Sequence, residues 1–412
     1  MMLNQQEKEV LKTLAHAYAQ IASLPEQETR RKMWINLNSL HMDRPMVLID
    51  QIPWSEMDVD GFLKCQVEDP YWRRVENEMR QTIYKWNHMR VDMVVNPYIC
   101  LPRPIINTGW GLEQQVDRLA TEGMNDVFSQ HINNVIEDYD DIEKIQMPEI
   151  SLDEAKEAEI IAIAKEVFDG IIPFKMTGQT MHLGIWDTIS YWMGVENCYF
   201  ELIDRPEMIH TLMEKLTQGL ICQVEQMNKL GLFDIYSNLC HCSQTFTNDL
   251  PGEGAEAHPQ SQNAWAFGLA QLFTSCSPAI TQEFEVDYMK RVFSHFGAIY
   301  YGCCDRLDDR LDKIAQLPNV RKISCSPWSV RENFAANLDN KRYVMSNKPT
   351  PAVLSYEWFD ENEVREDLRR TLTAARQNNV NLEFILKDIS TVRHNPERLW
   401  RWAEIAMEEV SR

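Results

Sequence analysis

Basic residues are scarce in this chain: 41 Lys+Arg stand against 62 Asp+Glu, a formal charge of −21. So acidic a molecule repels phosphate backbones and anionic lipid, which disfavours nucleic-acid and membrane-surface binding. Glycine (15) and proline (18) are few in 412 residues, so collagen-like and linker-rich architectures are excluded. No stretch approaches the roughly 18 uninterrupted apolar residues of a membrane span. Met1-Met2-Leu3-Asn4-Gln5 opens without a basic and then apolar segment, so no secretory leader is expected. The expectation is therefore a cytoplasmic protein whose ten cysteines are reduced thiols. None of them forms a CxxC pair, which argues against a zinc ribbon or a thioredoxin-like site. GxGxxG, GxxxxGK(S/T) and GxSxG are missing, so nucleotide-cofactor and serine-hydrolase readings have no motif behind them.

What is present is an ordinary globular composition, 44% apolar and 25% charged. Short apolar runs alternate with longer helical patterns. Eight runs read as strands: 44–50, 91–96, 171–177, 233–238, 298–303, 320–324, 342–346 and 381–386. Several are apolar nearly throughout, as strands covered on both faces are. Between them, Pro206 to Leu230 carries Ile209, Leu212, Met213, Leu216 and Leu220 at helical spacing. Asp360 and Glu363 resemble a capping box opening a helix to Arg376. Eightfold strand–helix alternation predicts an α/β protein with a (β/α)8 TIM barrel over residues 41–412. Residues 1–40 read as an N-terminal helical extension, with Leu11, Leu14, Tyr18 and Ile21 on one face. Residues from about 100 to 150 read as an insertion after strand two, with a solvated acidic run at Glu137–Glu143.

Active sites of such barrels lie at the C-terminal strand ends. Here those ends carry Asp50 to Trp54, Asn96 to Tyr98, Gly178 to His182, Asn238 to Cys242, Cys303 to Asp305, Ser324 to Ser326, Ser346 to Pro349, and Lys387-Asp388. Soft thiolates and an imidazole at neighbouring ends can hold zinc, with His241 and Cys303 as ligands and Cys304 the alternative. They can equally be small buried hydrophobes and a satisfied core histidine. His182 suits a general base or hydrogen-bond donor, or else a helix-entry packing role. Asp50 and Asp388 end the first and last strands and can act as an acid–base pair or as barrel-mouth ion pairs. Trp54 and Tyr98, with Trp110, Trp186 and Trp265, can line an aromatic pocket or belong to the core. Asn96, Gln179, Asn238 and Asp388 offer polar groups to a substrate.

Arg44–Asp50, Phe284–Lys290 leading into Ile299–Cys304, Val320–Ser324, Ser346–Pro349 and Phe384–Ser390 together resemble the uroporphyrinogen decarboxylase superfamily, in its corrinoid-dependent methyltransferase branch. The resemblance covers roughly residues 30–411 and implies a (β/α)8 barrel. It departs from true decarboxylases, whose Arg-rich turn after strand one is replaced by Asp50-Gln51-Ile52-Pro53-Trp54. An Arg-poor mouth grips a polycarboxylate poorly, so that activity is rejected. The branch's zinc motif, HxC, falls on Tyr301-Gly302-Cys303, so Tyr301 replaces the histidine and the later cysteine falls near Lys387-Asp388. The resemblance implies a methyltransferase acting on a small methylated substrate, methoxy-aromatic or methylamine-like. Its corrinoid would arrive on a partner protein, zinc would be an optional cofactor, and Asp50, His182 or Tyr301 would supply the acid. A homodimer is compatible with it. A metal-independent decarboxylase or lyase of a small carboxylate, and a non-catalytic binding subunit, stay open beside it.

Overall fold

The computed structural model describes residues 3–119 and 129–412. Two helices come first, α1 (Gln5–Ala22) and α2 (Pro25–Asn38). Asn4 starts α1 as a capping box with Glu7, and Pro25 sits at the first turn of α2. Among the described residues, eight strands follow that run parallel to their partners: β1 (Met46–Ile49), β2 (Ile99–Pro102), β3 (Phe174–Thr177), β4 (Trp265–Gly268), β5 (Ala298–Tyr301), β6 (Val320–Cys325), β7 (Val344–Asn347) and β8 (Asn381–Leu386). Six of them form one sheet in the order β1-β8-β7-β6-β5-β4, and β2 pairs with β3 separately. Sequential order with parallel pairing is what short βα crossovers produce. Two narrow links lie at the sheet's edges. The Asp92 amide donates to Val47 O (3.1 Å), and His182, just past β3, bridges Phe267 of β4.

The expected strands map onto these unevenly. Residues 91–96 do not join a ladder. They turn instead, with Met93 N bonded to Arg90 O, and the strand comes later at β2. Residues 233–238 touch the sheet only at Phe233, opposite Gln179. There Asp234 folds the chain back by accepting the amides of Tyr236 and Ser237. The fourth strand is β4, an apolar run that ends in Gly268. A Cβ on Gly268 would lie 2.3 Å from the Phe293 ring. Asp360 caps the helix Glu361–Gln377 through Asn362 N, without the reciprocal bond a capping box requires.

Helices pack outside the sheet. The long helix Pro206–Leu230 buries Ile209, Leu212, Met213, Leu216 and Leu220, as its spacing requires. Trp186 is fully buried and its indole donates to Phe284 O (2.9 Å). In the 100–150 region, strands Ile105–Asn107 and Ile150–Leu152 pair antiparallel, as do Gln115–Leu119 and Ser129–Asn133. The acidic run forms a short helix, Tyr139–Glu143, capped by Asp138. Part of the expected insertion, residues 120–128, lies outside the described residues. Inside the main sheet, Lys322 and Glu383 form an ion pair at 2.7 Å with both side chains fully buried, and Ser243 bonds to both.

Candidate active site

The chain makes a tight reversal just past each of several strands, and the reversals carry the reactive side chains. Gln51, Asn238, His241 and Asp388 all take positive φ (48°, 54°, 54° and 56°), as does Gly302 (88°). A non-glycine residue in that region stores strain of about 1 kcal/mol or more, and such residues gather at functional sites. His241 opens the two-residue turn of a small hairpin, Leu239–Cys240 against Ser243–Gln244. That hairpin hangs beside β4, so His241 reaches Cys303 by another route than the strand order expected from sequence.

The structure gathers three side chains around one sulfur, that of Cys303. Lys387 Nζ donates to Cys303 Sγ at 2.9 Å. His241 Nε2 and Cys304 Sγ each stand 3.5 Å from the same sulfur. Lys387 Nζ is also 3.1 Å from His241 Nε2 and 3.3 Å from Asp388. The single thiol proton of Cys304 faces both Cys303 Sγ and Asp388 Oδ2, the latter at 3.2 Å. His241 is held flat on Phe267, with ring centroids 3.9 Å apart, and His182 stacks on the same phenylalanine at 5.1 Å. Lys387 and Cys303 are buried, His241 and Cys304 half-buried, and Asp388 and His182 exposed.

Such an arrangement fixes charge. The Cys304 thiol stabilises the Cys303 thiolate; burial opposes ionisation, but His241 and Lys387 add to the stabilisation, and the thiol sits far below the ordinary range. Cys304 is pushed up, first by that same neighbouring sulfur and then by burial. Burial pulls His241 down, yet the Cys242 and Cys303 sulfurs outweigh it and raise the imidazole to about 9. Burial and the His241 charge pull His182 the other way. Asp187, 3.5 Å from His182, is raised to about 6 by burial. Near neutral pH the site therefore holds a thiolate, an imidazolium and an ammonium in contact, with a neutral imidazole beside them.

The donor set also fits a metal ion. Cys303, Cys304 and Asp388 offer ligand atoms that all lie within 4.8 Å of one another. Bonds of about 2.0–2.3 Å in a tetrahedron keep ligands about 3.3–3.8 Å apart; Cys303 and Cys304 stand 3.5 Å apart, and Cys304 and Asp388 slightly closer at 3.2 Å. Lys387 occupies the cationic position among these donors, so an ion there requires its ammonium to swing aside.

The other expected residues are placed differently. Asp50 lines a cavity of about 670 Å3 together with Asn96, Gln179 and Cys242. Asn96, Tyr98 and Asn238 bond among themselves: Asn238 Nδ2 donates to Asn96 Oδ1 (3.3 Å) and to Tyr98 Oη (3.1 Å). Trp54 packs edge-on against Tyr84 (5.8 Å) in the partly buried core. Tyr301 is not brought to the cluster; it is fully buried and its hydroxyl donates to Glu285 at 3.4 Å. Trp110 joins His182 in a smaller cavity of about 190 Å3, whereas Trp186 and Trp265 are core. Sequence reasoning passed over Lys387 as a site residue, although it directly follows β8 and precedes Asp388. It also passed over Phe267, hidden in the unrecognised strand.

No protein-family model matches the sequence, and no curated protein matches it. Among solved structures, a methyltransferase from Methanosarcina mazei matches over 93% of this chain and 99% of its own, with a TM-score of 0.51 and 11% identity. At that identity the likeness concerns the fold, an α/β arrangement around a parallel sheet. Among the described residues, no helix is long and apolar enough to cross a membrane.

Proposed function

We propose that this chain is a methyltransferase moving a methyl group between a small methylated substrate and a corrinoid carried on a partner protein. The likeness of fold to a methyltransferase supports this reading. The observation that carries it is the Cys303–His241–Lys387 contact at the strand ends. In this reading β1 to β8 are the wall of a closed (β/α)8 barrel, joined across its seams by the Asp92–Val47 and His182–Phe267 links.

A corrinoid supplies a cobalt nucleophile that accepts a methyl cation, and the electron pair of the broken bond stays on the atom that carried the methyl. An oxygen or nitrogen leaving in this way needs a proton. His241 is cationic through the neutral range and half-exposed, so its Nε2–H is the donor this site offers. The Cys303 thiolate keeps that proton on the ring, and Lys387 holds the thiolate in place. His182, neutral and exposed beside Phe267, serves as the acceptor on the return. Asp50, Asn96 and Gln179 face the substrate from the cavity wall. Zinc, where bound, would be held by Cys303 with His241 or with Cys304 and Asp388, and would act as a Lewis acid towards the leaving atom.

The test is anaerobic incubation with cob(I)alamin and a panel of methoxybenzene, trimethylamine, methanol and glycine betaine, followed by the cobalt absorbance. Conversion to methylcob(III)alamin with one donor supports the reading. An unchanged spectrum with every donor contradicts it. Elemental analysis of the same sample reports whether zinc accompanies the protein.

A further inference from the structure

Helix α3 (Pro70–Met89) connects β1 to β2, and its composition is unusual for a helix lying on a sheet. Arg74, Glu78, Gln81, Thr82 and Lys85 recur at three- and four-residue spacing and all line the 670 Å3 cavity. The rest of the wall includes Leu48–Asp50 of β1 and its extension, and Cys100 and Pro102 of β2 with Arg103 just past it. β1 and β2 share no ladder, so the cavity fills the gap that the irregular 91–96 stretch leaves in the sheet. A crossover helix ordinarily closes such a gap with aliphatic side chains. Here a polar stripe faces it.

The charges on this wall divide into satisfied and free. Arg103 is held by Glu157 at 2.5 Å, and Asp234 is held by Ser237 and two backbone amides. Arg74 and Glu78 pair with each other at the exposed rim (2.9 Å). Among the described residues, the side chains of Lys85 and Asp50 have no hydrogen bond or ion pair, although the Asp50 carboxylate favours the charged form of Lys85 against its burial. A half-buried ammonium and a half-buried carboxylate, each without a side-chain partner, stand at a cavity that the neutral Gln81, Thr82, Gln179 and Thr180 also line. Leaving such charges unpaired in a partly dry site is costly, and a ligand of the complementary dipole removes that cost.

We propose that this cavity binds a small zwitterion, its carboxylate on Lys85 and its methylated ammonium on Asp50. The ligand class is then the betaines and N-methylated amino acids. The methyl part of the assignment rests on the methyl-transfer reading; the charge part does not. Cys242, the chain neighbour of His241, lies in the same cavity wall and connects it to the thiolate cluster.

Isothermal titration calorimetry on the full chain tests this without any corrinoid. The probes are glycine betaine and L-carnitine, choline (no carboxylate) and 3,3-dimethylbutanoate (no positive charge). One of the two zwitterions should bind at least tenfold tighter than both single-charge analogues. Lys85→Met should abolish the preference over choline, and Asp50→Asn the preference over 3,3-dimethylbutanoate. Equal affinities across the four probes, binding of neither zwitterion, or discrimination that survives both substitutions in folded variants would overturn the proposal. If a variant fails to fold, the wild-type panel alone decides. Zwitterion binding with no cobalt chemistry would count against methyl transfer and leave this site standing.

Discussion

Removing the Lys387 ammonium is the sharpest perturbation of the thiolate cluster. Its Nζ donates to Cys303 Sγ at 2.9 Å, and the lysine is 2% exposed, so water screens the contact little. A hydrogen bond to a charged group contributes about 1.5–3 kcal/mol. At 1.36 kcal/mol per pKa unit, Lys387→Met should raise the Cys303 pKa by about 1–2 units. His241 and Cys304 remain at 3.5 Å, so the thiol should still ionise well below the roughly 8.5 of a free cysteine. The assay is iodoacetamide alkylation from pH 3 to 10, with the Cys303 peptide quantified by mass spectrometry. The peptide separates it from the partly exposed Cys65, Cys100, Cys222 and Cys276, and fragment ions separate it from the adjacent, half-buried Cys304. Wild-type Cys303 should be alkylated at a nearly constant rate from pH 6 to 8, and the variant's midpoint should move upward. His241→Gln with Lys387→Met should move it further, by less than the sum of the single shifts because both act on one sulfur. An ordinary thiol midpoint near 8.5 in the wild type, or a midpoint indifferent to Lys387, would refute the charge assignment.

The His241 cation is present below a pKa of about 9 and lost above it, so kcat/KM for methyl transfer should fall as pH rises through about 9, and His241→Gln should remove that limb of the profile. Asp305 is buried and raised to about 6, chiefly by burial, while it accepts the Cys303 amide at 2.7 Å. A raised carboxyl costs stability above its folded pKa and recovers it below the unfolded value near 3.9. Asp305→Asn should therefore flatten the urea-unfolding stability between pH 4 and 7, by at most about 3 kcal/mol. Lys322→Met or Glu383→Gln alone strands a fully buried charge and should cost about 3–5 kcal/mol in chemical denaturation, whereas Lys322→Met with Glu383→Leu should recover most of the loss. Gly178→Ala would place a Cβ 2.1 Å from Leu232 O, a backbone atom that cannot step aside, and should lower the melting temperature by several degrees.

Six of the eight expected runs contain a strand, because stretches such as Met46–Ile49 and Ala298–Tyr301 are apolar on both faces and have little choice but a covered parallel sheet. The two that failed did so for local reasons. Val91–Asn96 is apolar enough for a strand, but it turns at Arg90–Met93 and leaves the pairing to Ile99–Pro102. Asp234 is a turn residue inside an apolar stretch, and its Asx-type bonds to Tyr236 and Ser237 end the strand after one bridge. Trp265–Gly268 was legible as a short apolar run and was missed for its brevity. Of the site, strand-end logic located Cys303, Cys304, His241 and Asp388, because residue type and position suffice for that. It could not locate Lys387 in the cluster, since a lysine beside an aspartate reads first as a surface ion pair. Nor does composition separate Tyr301, buried against Glu285, from a tyrosine that faces substrate. The polar stripe on α3 was readable from its spacing, but only the gap between β1 and β2 tells which way it faces.

The decisive measurement is the initial rate of methylcob(III)alamin formation with a donor that the wild type accepts, compared with Cys303→Ser at equal concentration and fold content. Methyl transfer at this cluster requires the rate to drop by at least a hundredfold when the thiolate becomes a neutral hydroxyl. A Cys303→Ser variant as fast as the wild type would place the chemistry somewhere else in the molecule.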